Sequence, residues 1–227
     1  MNSILIAAIV ASAAPVEIEL ASPAAATARL ECEVATGSLI VSRGDCLAIK
    51  MYSASLYTHV GAVVVREGEI YVYDAMNGCG VRKQLLCDYV TGLNDAAIHP
   101  FHLRQPMSEY QAQRFERHLE GQLGRPYAIK HHLTGTRAAG LHCSEYVTDA
   151  LIAADLLRAS RPSRVSPASL VTGILTAEVH RQADTMQLVP EPPARPESGS
   201  WVVQCWFDTR QCTQNCYRKL WAWFCCK

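Results

Sequence analysis

The clearest pattern in the chain is a pair of apolar runs around a tight polar break. Thr58-His59-Val60-Gly61-Ala62-Val63-Val64-Val65 is rich in β-branched residues and reads as a buried strand. Glu67-Gly68-Glu69 supplies a turn, and Ile70-Tyr71-Val72-Tyr73-Asp74-Ala75 returns as its antiparallel partner. Upstream, Gly44-Asp45-Cys46-Leu47-Ala48-Ile49 reads as a turn into a short strand. Downstream, Ala97–Leu103 is a further strand, in which Pro100 argues for an edge position.

After the strands the period changes to that of helices. Ser108 and Gln111 form a capping box, and Tyr110, Phe115 and Leu119 recur near helical spacing until Gly124. A second helix is expected from Cys143 to about Leu157, with Tyr146, Val147, Ala150, Leu151 and Ala154 on one face. Ser166-Pro167 opens a shorter one through Leu175. Val16–Leu20 alternates like an edge strand inside an Ala-rich lead, and the chain has no internal repeat. These patterns divide it into an N-terminal segment 1–37, a catalytic domain 38–189, a Pro-rich linker 190–200 and a Cys/Trp-rich tail 201–227.

Composition narrows the picture only slightly. The chain has 227 residues, 49% of them hydrophobic, and a formal net charge of zero, so it can bury a sizeable core and lacks the basic excess that nucleic-acid binding asks for. No stretch reaches the roughly 18 consecutive apolar residues of a spanning helix. Ile4–Ala14, ending in Ala11-Ser12-Ala13, reads either as an export signal lacking the usual basic start or as an Ala-rich terminus.

The chemistry concentrates at two places. His142-Cys143-Ser144-Glu145 puts a thiol at a helix start, where free backbone N–H groups and the positive end of the helix dipole favour thiolate. His59 on its strand is a base that could complete the activation, and Asp74, near the end of the returning strand, can lie across from His59 and orient the ring. Glu145 lies on another face from Cys143 and reads as a first-turn acid that suits the dipole. His142 reads as a helix-flanking residue, and His131-His132 as solvated loop residues rather than ligands.

The order Gly44-Asp45, Thr58-His59-Val60-Gly61, a strand ending in Asp74-Ala75, Gly80-Val81, Gly124-Arg125-Pro126-Tyr127 and then Cys143-Ser144-Glu145 resembles the permuted papain-like, NlpC/P60-type cysteine hydrolases of the YiiX/YaeF kind. The resemblance covers roughly Ser38 to Leu175. It implies a circularly permuted papain-like α+β fold, with an antiparallel sheet or partial barrel packed against a nucleophile-bearing helix. It also implies Cys143 as nucleophile, His59 as base, Asp74 as the third polar residue, and Tyr127 as the aromatic of the Gly-x-Pro-Tyr stretch, a candidate for substrate binding. The third position is usually Glu in such relatives, so Asp74 departs from the pattern. The same permuted order occurs in lecithin:retinol acyltransferase-like proteins, which resemble the chain in their cysteine helix.

These residues suit acyl transfer through a thioester, with the oxyanion met by N–H groups at the start of the cysteine helix. The expected activity is hydrolysis of peptide, cell-wall or lipid-linked amides, with no cofactor or metal. Lipid acyl transfer, a thioesterase and an inactive binding module on the same fold are the alternatives. Cys32, Cys46, Cys79 and Cys87 are expected to be small buried hydrophobes, or disulfides if the chain is exported. Cys205, Cys212, Cys216, Cys225 and Cys226, among Trp201, Trp206, Trp221 and Trp223, suggest a disulfide-stapled appendage or an aromatic interfacial helix with Arg218 and Lys219, through which membrane association is conceivable. Out-of-frame translation of GC-rich DNA also yields such a composition.

Overall fold

The computed structural model describes residues 19–43, 55, 57–93, 96–128, 139–189 and 200–225, without the side chains of 218, 219 and 221–225. The strands are β1 (Glu19–Ala21), β2 (Leu39–Arg43), β3 (His59–Arg66), β4 (Glu69–Met76), β5 (Gly80–Leu85), β6 (Ala97–Leu103), β7 (His180–Gln182) and β8 (Met186–Leu188). The helices are α1 (Pro23–Glu33), α2 (Leu86–Gly92), α3 (Glu109–Glu120), α4 (Cys143–Ala153), α5 (Pro167–Thr176) and α6 (Trp201–Cys225). The strands form one open sheet in the order β1-β8-β6-β2-β3-β4-β5, with β7 also on β6. Its pairs are antiparallel except β1 with β8. The fold is therefore α+β with an open sheet.

Alternation along β3 explains its unbroken apolar run. Val60, Ala62 and Val64 pack with Tyr73 and Ala75 of β4 against Phe115 and Leu119 of α3, Tyr146, Val147, Ala150 and Leu151 of α4, and Leu170 and Ile174 of α5. Val63 points the other way, joining Ile40, Val72 and Ile98 against Ala26 and Leu30 of α1 and Leu86, Tyr89 and Val90 of α2. A strand covered on both faces has no solvated side on which to place polar residues. The hairpin between β3 and β4 turns through Glu67 (φ 54°) and Gly68 (φ 84°), the twist that suits a two-residue connection.

Several boundaries differ from the sequence reading, each for a local reason. The Ala-rich lead is not separate from the fold: Ser22 caps α1 by accepting from Ala25 N, Pro23 sits in its first turn, and β1 joins the sheet edge. The fold thus begins before the boundary placed at residue 38. Pro100 lies inside the sheet, not at its edge, because β6 pairs with β2 on one side and with β7 and β8 on the other. Its carbonyl accepts from Ala183 N at 2.9 Å, so its missing donor faces the interruption between β7 and β8, where no ladder bond is lost.

The capping box at Ser108 and Gln111 forms with both arms, but α3 ends at Gly121 and not Gly124. Helix α4 stops at Ala153, four residues short of Leu157, because Asp155 turns left-handed (φ 56°). Leu156 N donates to Leu151 O and Asp155 N to Ile152 O, each at 3.0 Å, closing a Schellman cap.

Cys32, Cys79 and Cys87 are exposed free thiols, not the buried hydrophobes expected. In α6, Cys205, Cys212 and Cys216 are also free and exposed, so none of them staples the tail. No helix among the described residues is long and apolar enough to cross a membrane. Ile4–Ala14, Gly44–Ile49 with Cys46, His131-His132, the linker at 190–199, Cys226 and the side chains of Trp221, Trp223 and Cys225 lie outside the description.

Burial of two histidines makes the fold acid-sensitive. His99 on β6 and His180 on β7 are buried, and burial pushes each down to about 4, helped at His99 by the Arg43 charge and at His180 by His102 against the hydrogen bond to Gly37 O. A depressed folded pKa means stability that is whole above the unfolded value of about 6.5 and is lost as pH falls toward 4, by up to about 3 kcal/mol per histidine. Urea unfolding at pH 7 and at about pH 4.5 should show this loss. His180→Gln keeps a donor toward Gly37 O without a titrating ring and should flatten the dependence; an equal slope in the variant would exclude His180 as a source.

Candidate active site

The N-terminus of α4 is fixed by the residue before it. His142 is the N-cap: its Nδ1 accepts from Glu145 N at 3.3 Å, which leaves Nε2–H to donate to Ser163 O at 3.0 Å. Ser144 Oγ donates to Val165 O at 2.6 Å, pinning the same turn. Cys143 is the first helical residue, so its backbone N–H has no intrahelical partner. Its side chain is almost covered, at 2% exposed, and packs in the cluster on the α3–α5 face of the sheet.

His59 is the first residue of β3, paired with Ser42 of β2. By strand alternation its ring lies on the α2 face, where it stacks near Tyr89 with ring centroids 6.4 Å apart. The base and the thiol thus approach from opposite faces, and meet because each opens its element at the same end of the sheet. His59 Nε2 donates to Asp74 Oδ2 at 2.8 Å. With that nitrogen committed, the other ring nitrogen is left for Cys143, whose nearness works to raise the basicity of the imidazole.

Burial alone would push the imidazole down, but Cys143 and Asp74 outweigh it and carry His59 up to about 10. Asp74 has no exposure at all. Burial works to raise its pKa as well, and the hydrogen bonds and charges of His59 and Arg82 reverse that, holding the carboxylate below its ordinary range.

Two residues here were not singled out from sequence. Arg82, the direct cross-strand partner of Asp74 on β5, donates from Nε to Oδ1 at 2.8 Å and from Nη2 to Oδ2 at 3.1 Å. The signal was available in the hairpin register, since Asp74 and Arg82 stand opposite once β4 and β5 pair. Tyr89 of α2 is 2% exposed, and burial first, then the nearby negative charges of Asp74 and Cys143, push its phenol well above the ordinary value. Gly61 makes room for it: a Cβ there would lie 2.9 Å from Tyr89 Oη and 2.6 Å from Val72 Cγ1.

Tyr127 is brought to the same place by backbone pairing. Val81 N donates to Arg125 O at 2.8 Å and Gly124 N to Val81 O at 2.9 Å, which lays residues 124–126 along β5. Tyr127 then bridges to Leu141 just before α4. Its phenol is held above the usual range by burial and by the Cys143 charge. The structure therefore gathers Cys143, His59, Asp74 and Tyr127. Glu145 is the acid of the first turn of α4, as expected, and it is buried there, 3.7 Å from His142 Nε2.

No family model matches the chain, and no curated protein matches it. Among solved structures it is similar to the metalloprotein YiiX (DUF1105) from Escherichia coli O157:H7, at 19% identity and a TM-score of 0.53, covering 65% of this chain and 95% of that one. At that identity the likeness speaks for the fold alone. Among the described residues no group of three or more His, Cys, Asp or Glu is placed to hold a metal ion.

The seam that carries Tyr127 depends on Gly80, which has φ 76° and would drive a Cβ into the Arg125 carbonyl oxygen. Gly80→Ala should destabilise the protein by about 2 to 4 kcal/mol, combining left-handed strain with backbone crowding. Gly68→Ala, at φ 84° with open space around it, should cost only the strain, about 1 to 2 kcal/mol. Chemical denaturation of both variants reads the difference; equal losses would show that the seam is not crowded.

Proposed function

We propose that the chain is a cysteine hydrolase that cleaves amide bonds, in peptides or lipid-linked amides, through Cys143, His59 and Asp74. The observation that carries this reading is the imidazole held between a buried carboxylate and a thiol at a helix N-terminus, with its basicity raised. At neutral pH such a ring is protonated, and its natural counterion is the Cys143 thiolate. The thiolate attacks the carbonyl carbon, and the Cys143 N–H is placed to meet the developing oxyanion. His59 gives its proton to the departing amine, leaving a thioester. The neutral ring then takes a proton from water, whose attack releases the acid and regenerates the pair. Asp74 keeps the ring oriented throughout, and Tyr127 lines the approach to the sulfur.

Lipid acyl transfer is the second reading, supported by the apolar surroundings of Cys143, which packs in the cluster that holds Leu141 and that Tyr127 flanks. An alcohol or amine replaces water in its second step.

Iodoacetamide alkylation of Cys143, followed across pH by peptide mass spectrometry, tests the pair. Cys143 should be alkylated readily near pH 6.5, and His59→Ala should slow that reaction at least about tenfold. Ordinary thiol behaviour in both proteins would remove the catalytic reading. Release of acid or transfer to an added amine, measured on a peptide and an N-acyl amide, separates the two chemistries.

A further inference from the structure

We propose that Arg82 is a positioning residue for the Cys143–His59 pair, acting through Asp74 by locking the carboxylate with a two-point guanidinium contact. The inference rests on the triad reading above and adds to it a residue that touches neither thiol nor imidazole. Both Asp74 oxygens are engaged: Oδ1 by Arg82 Nε at 2.8 Å, and Oδ2 by Arg82 Nη2 at 3.1 Å and His59 Nε2 at 2.8 Å. The terminal torsion of an aspartate is soft, so a carboxylate held by the imidazole alone would swing and carry the ring with it. A planar fork matched to both oxygens removes that freedom, which a point charge does not.

Arg82 is also fixed in its turn. It stands opposite Asp74 in the β4–β5 register, on the same face of the sheet, with its side chain 28% exposed while Asp74 is sealed.

The charge of Arg82 matters as much as its shape. The titratable groups around this cluster are His59 on β3, Arg82 on β5, Tyr89 on α2, and Cys143 and Tyr146 on α4, with Cys79 beside Arg82. Only His59 and Arg82 among these bring positive charge to Asp74. Without Arg82, a fully buried carboxylate relies on the imidazolium alone, and takes up a proton at a higher pH. Once Asp74 is neutral, it no longer supports the charged ring, and the ring no longer supports the thiolate.

The test is the pH profile of Cys143 alkylation by iodoacetamide, from about pH 5 to about pH 9, in the native chain, Arg82→Gln and Arg82→Lys. Gln keeps a donor and removes the charge; Lys keeps the charge and removes the fork. Arg82→Gln should move the acid limb up by about one pH unit, slowing alkylation near pH 6 on the order of tenfold, with Arg82→Lys falling between it and the native chain. A merely structural arginine would lower the melting temperature and leave the limb in place. The inference is overturned if folded Arg82→Gln superimposes on the native profile, or, should that variant not fold, if Arg82→Lys does. A native limb that depends on His59 but not on Arg82 overturns this inference alone. A native Cys143 that reacts as an ordinary thiol overturns the triad reading with it.

Discussion

Asp74 is a carboxylate with no exposure, near the end of β4, in a sheet whose two faces are both covered by helices. An ion in that position is tolerated only if opposite charge and hydrogen bonds replace the water it has lost. Arg82 and His59 supply them, and both are brought by strand pairing. A slip of one residue between β4 and β5 would send Arg82 to the other face, leaving the carboxylate with one partner. Sheet register and site electrostatics are therefore a single constraint, and the hydrophobic alternation that sets the register also decides whether the charge can be buried.

The two-sided burial of the sheet dictates where a thiol and an imidazole can meet. Helix α4 packs on one face, and its apolar stripe, Tyr146, Val147, Ala150 and Leu151, holds it there with no exposure. The side chains of His59 and Asp74 belong to the other face. A cysteine in the middle of α4 would be separated from them by the thickness of the sheet. At residue 143 it opens the helix, and at residue 59 the histidine opens β3, so contact occurs round the end of the strand. Gly61 and Tyr89 complete that arrangement: the missing side chain on β3 admits the phenol beneath the ring, and the phenol fills the space behind it.

Much of this was legible in the residues. The hairpin, the capping box at Ser108, the apolar face of α4 and the reach of Asp74 to His59 all follow from short-range pattern, where one period or one turn fixes the geometry. The failures share a different cause. Pro100 reads as an edge residue because the break between β7 and β8, some eighty residues downstream, is invisible locally. Asp155 ends α4 in a conformation that glycine usually signals, so the pattern overran. Cys32, Cys79 and Cys87 have the composition of core residues and the positions of surface ones, a matter of which side of an element they fall on. Arg82 escaped notice because an arginine on a strand has many solvated uses, and only the pairing of β4 with β5 makes it a partner of Asp74.

That pairing also bears on the shorter acid. The resemblance to permuted papain-like hydrolases leads one to expect glutamate at the third position, and aspartate has one methylene less with which to reach the ring. The 2.8 Å contact to His59 shows that the reach suffices in this sheet. A shorter side chain also has one torsion fewer to be fixed, so the bidentate arginine leaves it almost no freedom. The short acid and the two-point contact from Arg82 work together in this sheet. The acid is drawn back into the sheet, where solvent cannot stabilise it, and the neighbouring strand provides the cation that makes this tolerable. An acid so placed loses the flexibility to follow a moving histidine. His59 must then be rigid as well, and its fixed place at the start of β3, paired with Ser42 and stacked near Tyr89, meets that requirement.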